Sequence, residues 1–138
     1  MDKDKLLDPF QLLGLTLTNR VVMTTVKLGY SNLRGEVTDR HKAFYMRRAT
    51  GRVGLITTEP LFIQTNGREI PTQLGVHEDA LIPGLKNLTD SVHAAGGLFM
   101  AHINHAGRAA NPKLIAVEDL VSASEILCPS NQVMPRAL

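Results

Sequence analysis

Two short apolar segments, residues 53–60 (VGLITTEP) and 98–104 (LFMAHIN), constrain the fold of this chain more than any other feature. Neither shows a regular alternation of apolar and polar residues, so each predicts a strand buried on both faces, the first closed by Pro60. A helix is predicted between them, because apolar residues recur there at spacings of 4, 3, 4 and 3, at Leu81, Leu85, Leu88, Val92 and Ala95. Two strands joined by a helical crossover of this length are expected to pair in parallel.

A third strand and another helix precede these segments. Residues 11–25 alternate apolar and polar positions and end in a β-branched run, so they predict a short hairpin that leads into a strand over the letters VVMTT. Thr38 is a suitable helix N-cap and Gly51 a suitable stop, which predicts a helix over residues 39–50. The order is therefore strand, helix, strand, helix, strand.

This order predicts an α/β fold with a parallel sheet. Strands buried on both faces need more neighbours than three strands and two helices supply, so we expect the chain to be part of a larger sheet or barrel. A Rossmann or flavodoxin-like sheet has five or six strands and a glycine-rich first turn, whereas residues 26–35 (VKLGYSNLRG) contain no G-x-G-x-x-G pattern. A (β/α) barrel has eight strands. Residues 106–138, whose prolines are separated by serine and asparagine, predict a long loop with short helical pieces.

The composition of the chain bears on which kinds of partner it can bind. The 15 basic and 13 acidic residues are spread through the 138-residue sequence and leave a formal net charge of +2, without the clustered basic stripe typical of nucleic-acid binding. A single cysteine, Cys128, excludes an internal disulfide and a multi-cysteine metal site. The sequence contains neither the apolar core of a signal peptide nor a stretch of about 18 consecutive apolar residues. We therefore expect a cytoplasmic protein that binds neither membranes nor nucleic acid.

Four separated motifs extend this interpretation. The segments LLDPFQLLGLTLTNRVVM, VTDRHKAFYMRRATGRVGLITTEP, LTDSVHAAGG and HAGR, in this order, resemble the N-terminal part of the Old Yellow Enzyme family of flavin-dependent NAD(P)H oxidoreductases. The resemblance covers nearly all of residues 1–138 and implies the first three βα units, preceded by a β-hairpin, of one FMN-binding (β/α)8 TIM-barrel domain. It also implies FMN as cofactor, NADH or NADPH as reductant, and an activated alkene of the enone or enoate type as the small-molecule substrate.

The resemblance implies a set of cofactor contacts at the carboxyl ends of the strands, where barrels carry their sites. The end of the first strand would lie along the flavin ring, Pro60 would lie beside the ring at the end of the second, and His102 would hydrogen-bond its pyrimidine edge. The residues at the end of the first strand are Thr24, Thr25, Val26 and Lys27. Tyr30 falls near a family aromatic residue that touches substrate.

Three of these positions depart from the family pattern. His102 stands where glutamine is common, and a neutral histidine can donate one hydrogen bond and accept one. Thr25 replaces a frequent proline. Lys27 stands where a small residue is usual, and its ammonium beside the ring would favour the negative charge of a reduced flavin. Alternatively, Lys27 points into solvent and the site has lost its function.

Other interpretations of the polar residues near the strands stay open. His102 and His105 lie three residues apart, which along a strand directs them to opposite faces, so a metal site is not expected and His105 is expected to anchor the following turn. Arg108 either holds a ligand's negative group or secures its own loop. Glu59 is expected inside the barrel, where it pairs with an arginine. The alternative is that Glu59 is a catalytic carboxylate.

The residues that perform most of the family's chemistry come from later strands, so no catalytic residue is assigned within this chain. Three strands cannot close a barrel, which leaves either a second polypeptide that completes it or a truncated product. The exposed edges of three parallel strands also favour association into an oligomer. The alternative function is a non-catalytic half-barrel, a scaffold or assembly partner with a decayed flavin site.

Overall fold

A computed structural model describes residues 3–138. The described part contains three α-helices and seven strands, with 3-10 turns between several of them. The helices are α1 (Lys3–Leu7), α2 (Asp39–Thr50) and α3 (Ile82–Ala94), and the strands are β1 (Phe10–Leu12), β2 (Leu15–Leu17), β3 (Val22–Met23), β4 (Leu55–Phe62), β5 (Phe99–Asn104), β6 (Val121–Ser122) and β7 (Arg136–Ala137).

The central sheet has the strand order β3–β4–β5, and both pairings are parallel. Helices α2 and α3 form the two crossovers between these strands, as predicted from the capping residues of α2 and from the spacing of apolar residues in α3. The hairpin is formed by β1 and β2, in which Phe10 faces Leu17 across an antiparallel pair. The strand predicted over VVMTT is shorter than expected, because ladder pairing stops at Met23.

Helix α2 has the bounds that the sequence predicted, Asp39–Thr50. Thr38 is its N-cap, and the backbone N–H of Thr38 donates to Nδ1 of His41, the third residue of the helix, over 3.0 Å. This contact satisfies a backbone group that the first helical turn leaves without a partner. Helix α3 carries proline in its first turn, and Gly96, at φ +81°, follows its end.

The hydrophobic core lies between the two helices and the outer face of the sheet. It consists of Tyr45, Ala49, Ile56, Leu61, Leu74, Leu88 and Val92, each at most 3% exposed. Burial of each large apolar side chain contributes on the order of 1.5–3 kcal/mol. The turn before β5 approaches α2 so closely that a Cβ at Gly97 would lie 2.7 Å from that of Ala49.

Strand β4 is buried along its whole length and continues past Pro60, so the expectation that proline would close it was wrong. Thr57 pairs with Met100 and Pro60 with His102, which leaves two residues of β4 opposite one of β5. This is a β-bulge. Proline is tolerated here because a bulge interrupts the ladder that its missing N–H would otherwise break.

The segment 106–138 contains the short helical pieces that were predicted, as 3-10 turns at Gly107–Ala109 and Val117–Asp119. It also contains the two-residue parallel pair of β6 and β7, which was not predicted, nor was α1. Elements this short carry no usable periodicity in sequence. Within residues 3–138 no helix has the length and apolar character needed to cross a membrane.

Candidate flavin-binding site

Thr58 joins the ends of the three parallel strands. Its backbone carbonyl accepts a hydrogen bond from Oγ1 of Thr25 over 2.7 Å, and its own Oγ1 accepts one from the backbone N–H of His102 over 2.9 Å. Pro60 is aligned with His102 in the neighbouring strand. Residues from three separate segments of the sequence therefore meet at the carboxyl end of the sheet, which we call the site edge.

A buried polar network lies directly behind this edge. The backbone N–H of Glu59, within the bulge, donates to Oη of Tyr45 over 2.6 Å, and Oε1 of Glu59 lies 2.8 Å from Nε2 of His41. All three residues are fully buried, and burial raises the pKa of the Tyr45 phenol. The partner of Glu59 is thus a histidine of α2, not the arginine expected from the sequence.

His102 and His105 occupy different environments, as their spacing along a strand predicted. The His102 side chain is partly buried and makes no hydrogen bond within residues 3–138. Nδ1 of His105 accepts from the backbone N–H of Gly107 over 3.0 Å, so His105 anchors its turn. A Cβ at Gly67 would lie 2.4 Å from the His105 ring, which shows how tightly that ring is enclosed. Across the described residues, the histidines and acidic side chains form no cluster suited to a metal ion.

The residues after β3 form the open wall of the site. Thr24, Val26 and Lys27 are exposed. The ammonium of Lys27 forms an ion pair with the carboxylate of Glu69, in the loop that follows β4. Lys27 is half-exposed and is not a lone cation, because a carboxylate balances its charge.

Tyr30, predicted near the substrate, lies in the loop between β3 and α2, and its ring packs against the first turns of α2. Its ring makes edge contacts with His41 at 5.8 Å and with Phe44 at 6.0 Å between centroids, and the guanidinium of Arg40 lies 4.0 Å above it. Its carbonyl accepts from Oγ1 of Thr38. The residue as a whole is partly buried.

Gln73 also lies at the candidate site, although no pattern in the sequence predicted a role for it. It is 2% exposed; its Nε2 donates to the carbonyl of Pro60 over 3.0 Å, and its Oε1 accepts from the backbone N–H of Glu69 over 2.8 Å. Gln73 therefore ties the loop that carries the Lys27 partner to the end of β4. Gln73 lies in a polar segment for which the sequence predicted only a loop.

The residues present fit a planar, polar-edged cofactor such as FMN. The His102 imidazole is partly exposed, and its hydrogen-bonding capacity is unused in the described part of the chain. Pro60 lies beside it in the neighbouring strand and is buried. The backbone N–H groups of Val26 and Lys27 donate to no acceptor within residues 3–138. This end of the sheet thus presents hydrogen-bonding groups that are unused within residues 3–138, which suits the polar edge of a flavin ring.

Comparison with known proteins defines the class. A sequence profile of the NADH:flavin oxidoreductase / NADH oxidase family matches residues 5–136. The chain is 35% identical over 132 residues to a NADPH dehydrogenase of Listeria welshimeri, which covers 95% of this chain and 38% of that protein. It is also 35% identical over 113 residues to a NADH:acrylate oxidoreductase of Vibrio harveyi, across 82% of this chain and 11% of that protein. The chain belongs to the NADH:flavin oxidoreductase family.

Solved structures of Old Yellow Enzymes have the same fold as this chain over nearly all of its length. The fold superimposes on the old yellow enzyme homologue from Zymomonas mobilis with a TM-score of 0.89 and 27% identity, over 97% of this chain and 39% of that one. The chain therefore spans about two-fifths of such a protein. The predicted family is confirmed, and so is the fold class, the N-terminal βα units of a TIM barrel that is incomplete in this chain alone.

Proposed function

We propose that this chain is the N-terminal part of an FMN-dependent oxidoreductase that uses NADH or NADPH to reduce activated alkenes, and that the remaining barrel strands complete it. The observation that carries the proposal is the junction at Thr58, which brings Thr25 and His102 together where the flavin ring would lie. Family membership and the alkene-acid substrate in the name of the Vibrio harveyi relative support it. A cytoplasmic location is part of the proposal, supported by the single cysteine in 138 residues.

We propose that the ends of the three parallel strands supply the cofactor contacts. When bound, FMN supplies the hydride-carrying centre between the nicotinamide and the alkene. His102 would hold the pyrimidine edge by a hydrogen bond from one of its ring nitrogens. Pro60 packs against the ring, and the backbone of Thr24, Thr25, Val26 and Lys27 follows its length. Tyr30 would contact the substrate.

Lys27 and Glu69 act together on the charge of the cofactor. The ammonium favours electron density on the ring, whereas the paired carboxylate opposes it. Their balance sets how strongly this edge of the site stabilises a reduced flavin. Lys27 therefore contributes less than an unpaired lysine would.

The outer strands of the sheet support completion by further strands. In β5, Met100 is 46% and Ile103 is 64% exposed, and Val22 in β3 is 45% exposed. Apolar side chains and unpaired backbone groups on both edge strands are the surfaces that neighbouring strands cover in a closed barrel. We propose that these strands come from a further stretch of polypeptide, and that small-molecule substrate binds between the two parts.

A hybrid protein tests this function. Residues 1–138 are joined to the part of the Listeria welshimeri NADPH dehydrogenase that follows the matched segment; we call this protein the hybrid barrel. We expect it to purify with bound FMN and to oxidise NADPH when acrylate is supplied. The same part of the relative without residues 1–138 is the control and should do neither. A hybrid barrel that is folded by circular dichroism but free of flavin would contradict the proposal and favour the scaffold function.

A further inference from the structure

We infer that Glu59 and His41 are positioning residues of the flavin site, which hold the β-bulge of β4 in the shape that presents Pro60 and His102 to the cofactor. The inference rests on the proposed function, because it concerns the same edge of the sheet. Neither side chain is part of that edge, since both are fully buried behind it.

The bulge leaves backbone groups that the sheet ladder does not satisfy, and side chains satisfy them instead. Glu59 N–H donates to Oη of Tyr45, Thr58 carbonyl accepts from Thr25, and the hydroxyl of Thr58 accepts from His102 N–H. A bulged residue without such partners would return to regular pairing. Regular pairing would shift Pro60 by one residue relative to His102 and turn its ring to the other face of the sheet.

The side chain of Glu59 fixes the bulge to α2. Because the Thr38 N–H donates to Nδ1 of His41 over 3.0 Å, Nδ1 is an acceptor and Nε2 carries the proton that is donated to Glu59 Oε1 over 2.8 Å. This bond holds Glu59 against the first turn of α2, a helix that packs in the hydrophobic core. The chain of contacts runs from Thr38 through His41 and Glu59 to the strand end.

The network is costly for stability, which indicates a role beyond packing. Oε2 of Glu59 is buried and has no hydrogen-bond partner within residues 3–138. A buried carboxylate oxygen in that condition destabilises the folded state, and an apolar side chain of similar size would pack there at lower cost. What an apolar side chain would not provide is the directional bond that sets the position of the bulge.

The test compares Glu59→Leu with Glu59→Gln in the hybrid barrel. Leucine removes the acceptor for His41, whereas glutamine keeps a side-chain oxygen at that place. We expect Glu59→Leu to raise the hydrogen-exchange rate of the His102 amide and to weaken FMN binding, each by about tenfold, the equivalent of one hydrogen bond. The visible band of the bound flavin should shift as well. Glu59→Gln should restore all three properties to near the unsubstituted values.

Two further variants keep the result interpretable. Ile56→Val removes a methyl group from the buried part of the same strand without touching the network, and should leave the His102 amide and the flavin spectrum unchanged. If Glu59→Leu fails to fold, Tyr45→Phe replaces it, because it removes only the acceptor of the Glu59 N–H. It should speed exchange at Glu59 and weaken FMN binding.

The outcomes separate this inference from the proposed function. Unchanged exchange at His102 and unchanged flavin affinity in Glu59→Leu would overturn the inference, and so would equal losses in Ile56→Val. An unsubstituted hybrid barrel that binds no FMN, while Glu59→Leu still loses protection at His102, would overturn the proposed function and support Glu59 as the residue that positions the bulge.

Discussion

At the scale of single residues, the site depends on where polar side chains find their partners. Within residues 3–138 the His102 imidazole makes no hydrogen bond, Lys27 is paired with Glu69, and Gln73 holds the end of β4. The three differ in what a substitution should change. A substitution at His102 should change the affinity for the cofactor. One in the Lys27–Glu69 pair should change the reduction potential of the flavin, and one at Gln73 should change the shape of the loop after β4.

Replacing His102 by alanine should weaken FMN binding to the hybrid barrel by up to about tenfold, because one hydrogen-bonding group to the ring is lost. His102→Gln should retain binding, since an amide can also donate and accept. Quenching of flavin fluorescence measures the affinity. His93→Ala is the matched control, because His93 is exposed in the last turn of α3. Equal effects of the two alanine variants would contradict the assignment of His102.

Substitutions in the ion pair should move the flavin potential in opposite directions. Lys27→Met leaves the carboxylate alone beside the cofactor and should lower the potential, whereas Glu69→Gln leaves the ammonium alone and should raise it. Shifts of about 30 mV, corresponding to about 1.4 kcal/mol for a two-electron couple, are expected. Spectroelectrochemical titration of the hybrid barrel measures them. Shifts of the same sign in both variants would show that the pair does not act on the flavin through charge.

The pKa of Tyr45 gives the network behind the site a pH dependence. Burial raises this pKa, so the folded state favours the protonated phenol and its contribution to stability is complete below the unfolded value of about 10. As pH rises above about 10, ionisation favours unfolding. The free energy of unfolding, measured with urea at about pH 9 and about pH 11, should fall less in Tyr45→Phe than in the unsubstituted protein. An equal fall in both proteins would show that Tyr45 does not contribute to the pH dependence.

At the scale of elements, the fold depends on a close approach at Gly97, and a second glycine, Gly84, provides the comparison. Gly97 lies against Ala49 of α2, where an added Cβ would be 2.7 Å away, whereas Gly84 in α3 has its nearest neighbour, Cβ of Val37, at 3.6 Å. The first site has no room for a methyl group. The second has the spacing of an ordinary van der Waals contact.

Gly97→Ala should therefore destabilise the protein by about 1–3 kcal/mol, because α2 and the turn before β5 must move apart. Gly84→Ala is the matched control and should be neutral or stabilise by up to about 1 kcal/mol, since alanine favours the helix. Urea unfolding of the two variants in the hybrid barrel measures both values. Equal stability of the two variants would mean that the packing of α2 against the start of β5 is looser than described.

Sequence patterns predicted the elements that are long or strongly periodic. The bounds of α2 followed from Thr38 and Gly51, and the stripe of α3 followed from its spacing, because caps and 3.6-residue repeats are local properties. The bulge in β4 could not be predicted, because it depends on pairing with β5. The burial of Gln73 and the His41–Glu59 contact also escaped prediction, since both join residues from different elements.

At the scale of the whole molecule, the chain is one part of a barrel. It spans about two-fifths of the Old Yellow Enzyme homologue that it superimposes on, and its outer strands expose apolar side chains. The site at the Thr58 junction forms one wall of the cofactor pocket in our proposal. Pro60 and His102 were assigned to this wall through the family resemblance and lie two residues before the ends of β4 and β5. Their role toward the cofactor stays a prediction, and we propose that the opposite wall is formed by further strands.

The most direct test of the central claim is a crystal structure of the hybrid barrel with FMN. We predict that the pyrimidine edge of the ring lies within about 3.2 Å of a His102 ring nitrogen, the range of a hydrogen bond. The ring should also pack against Pro60 and run along residues 24–27. A flavin bound away from the Thr58 junction, with His102 turned to solvent, would contradict the account.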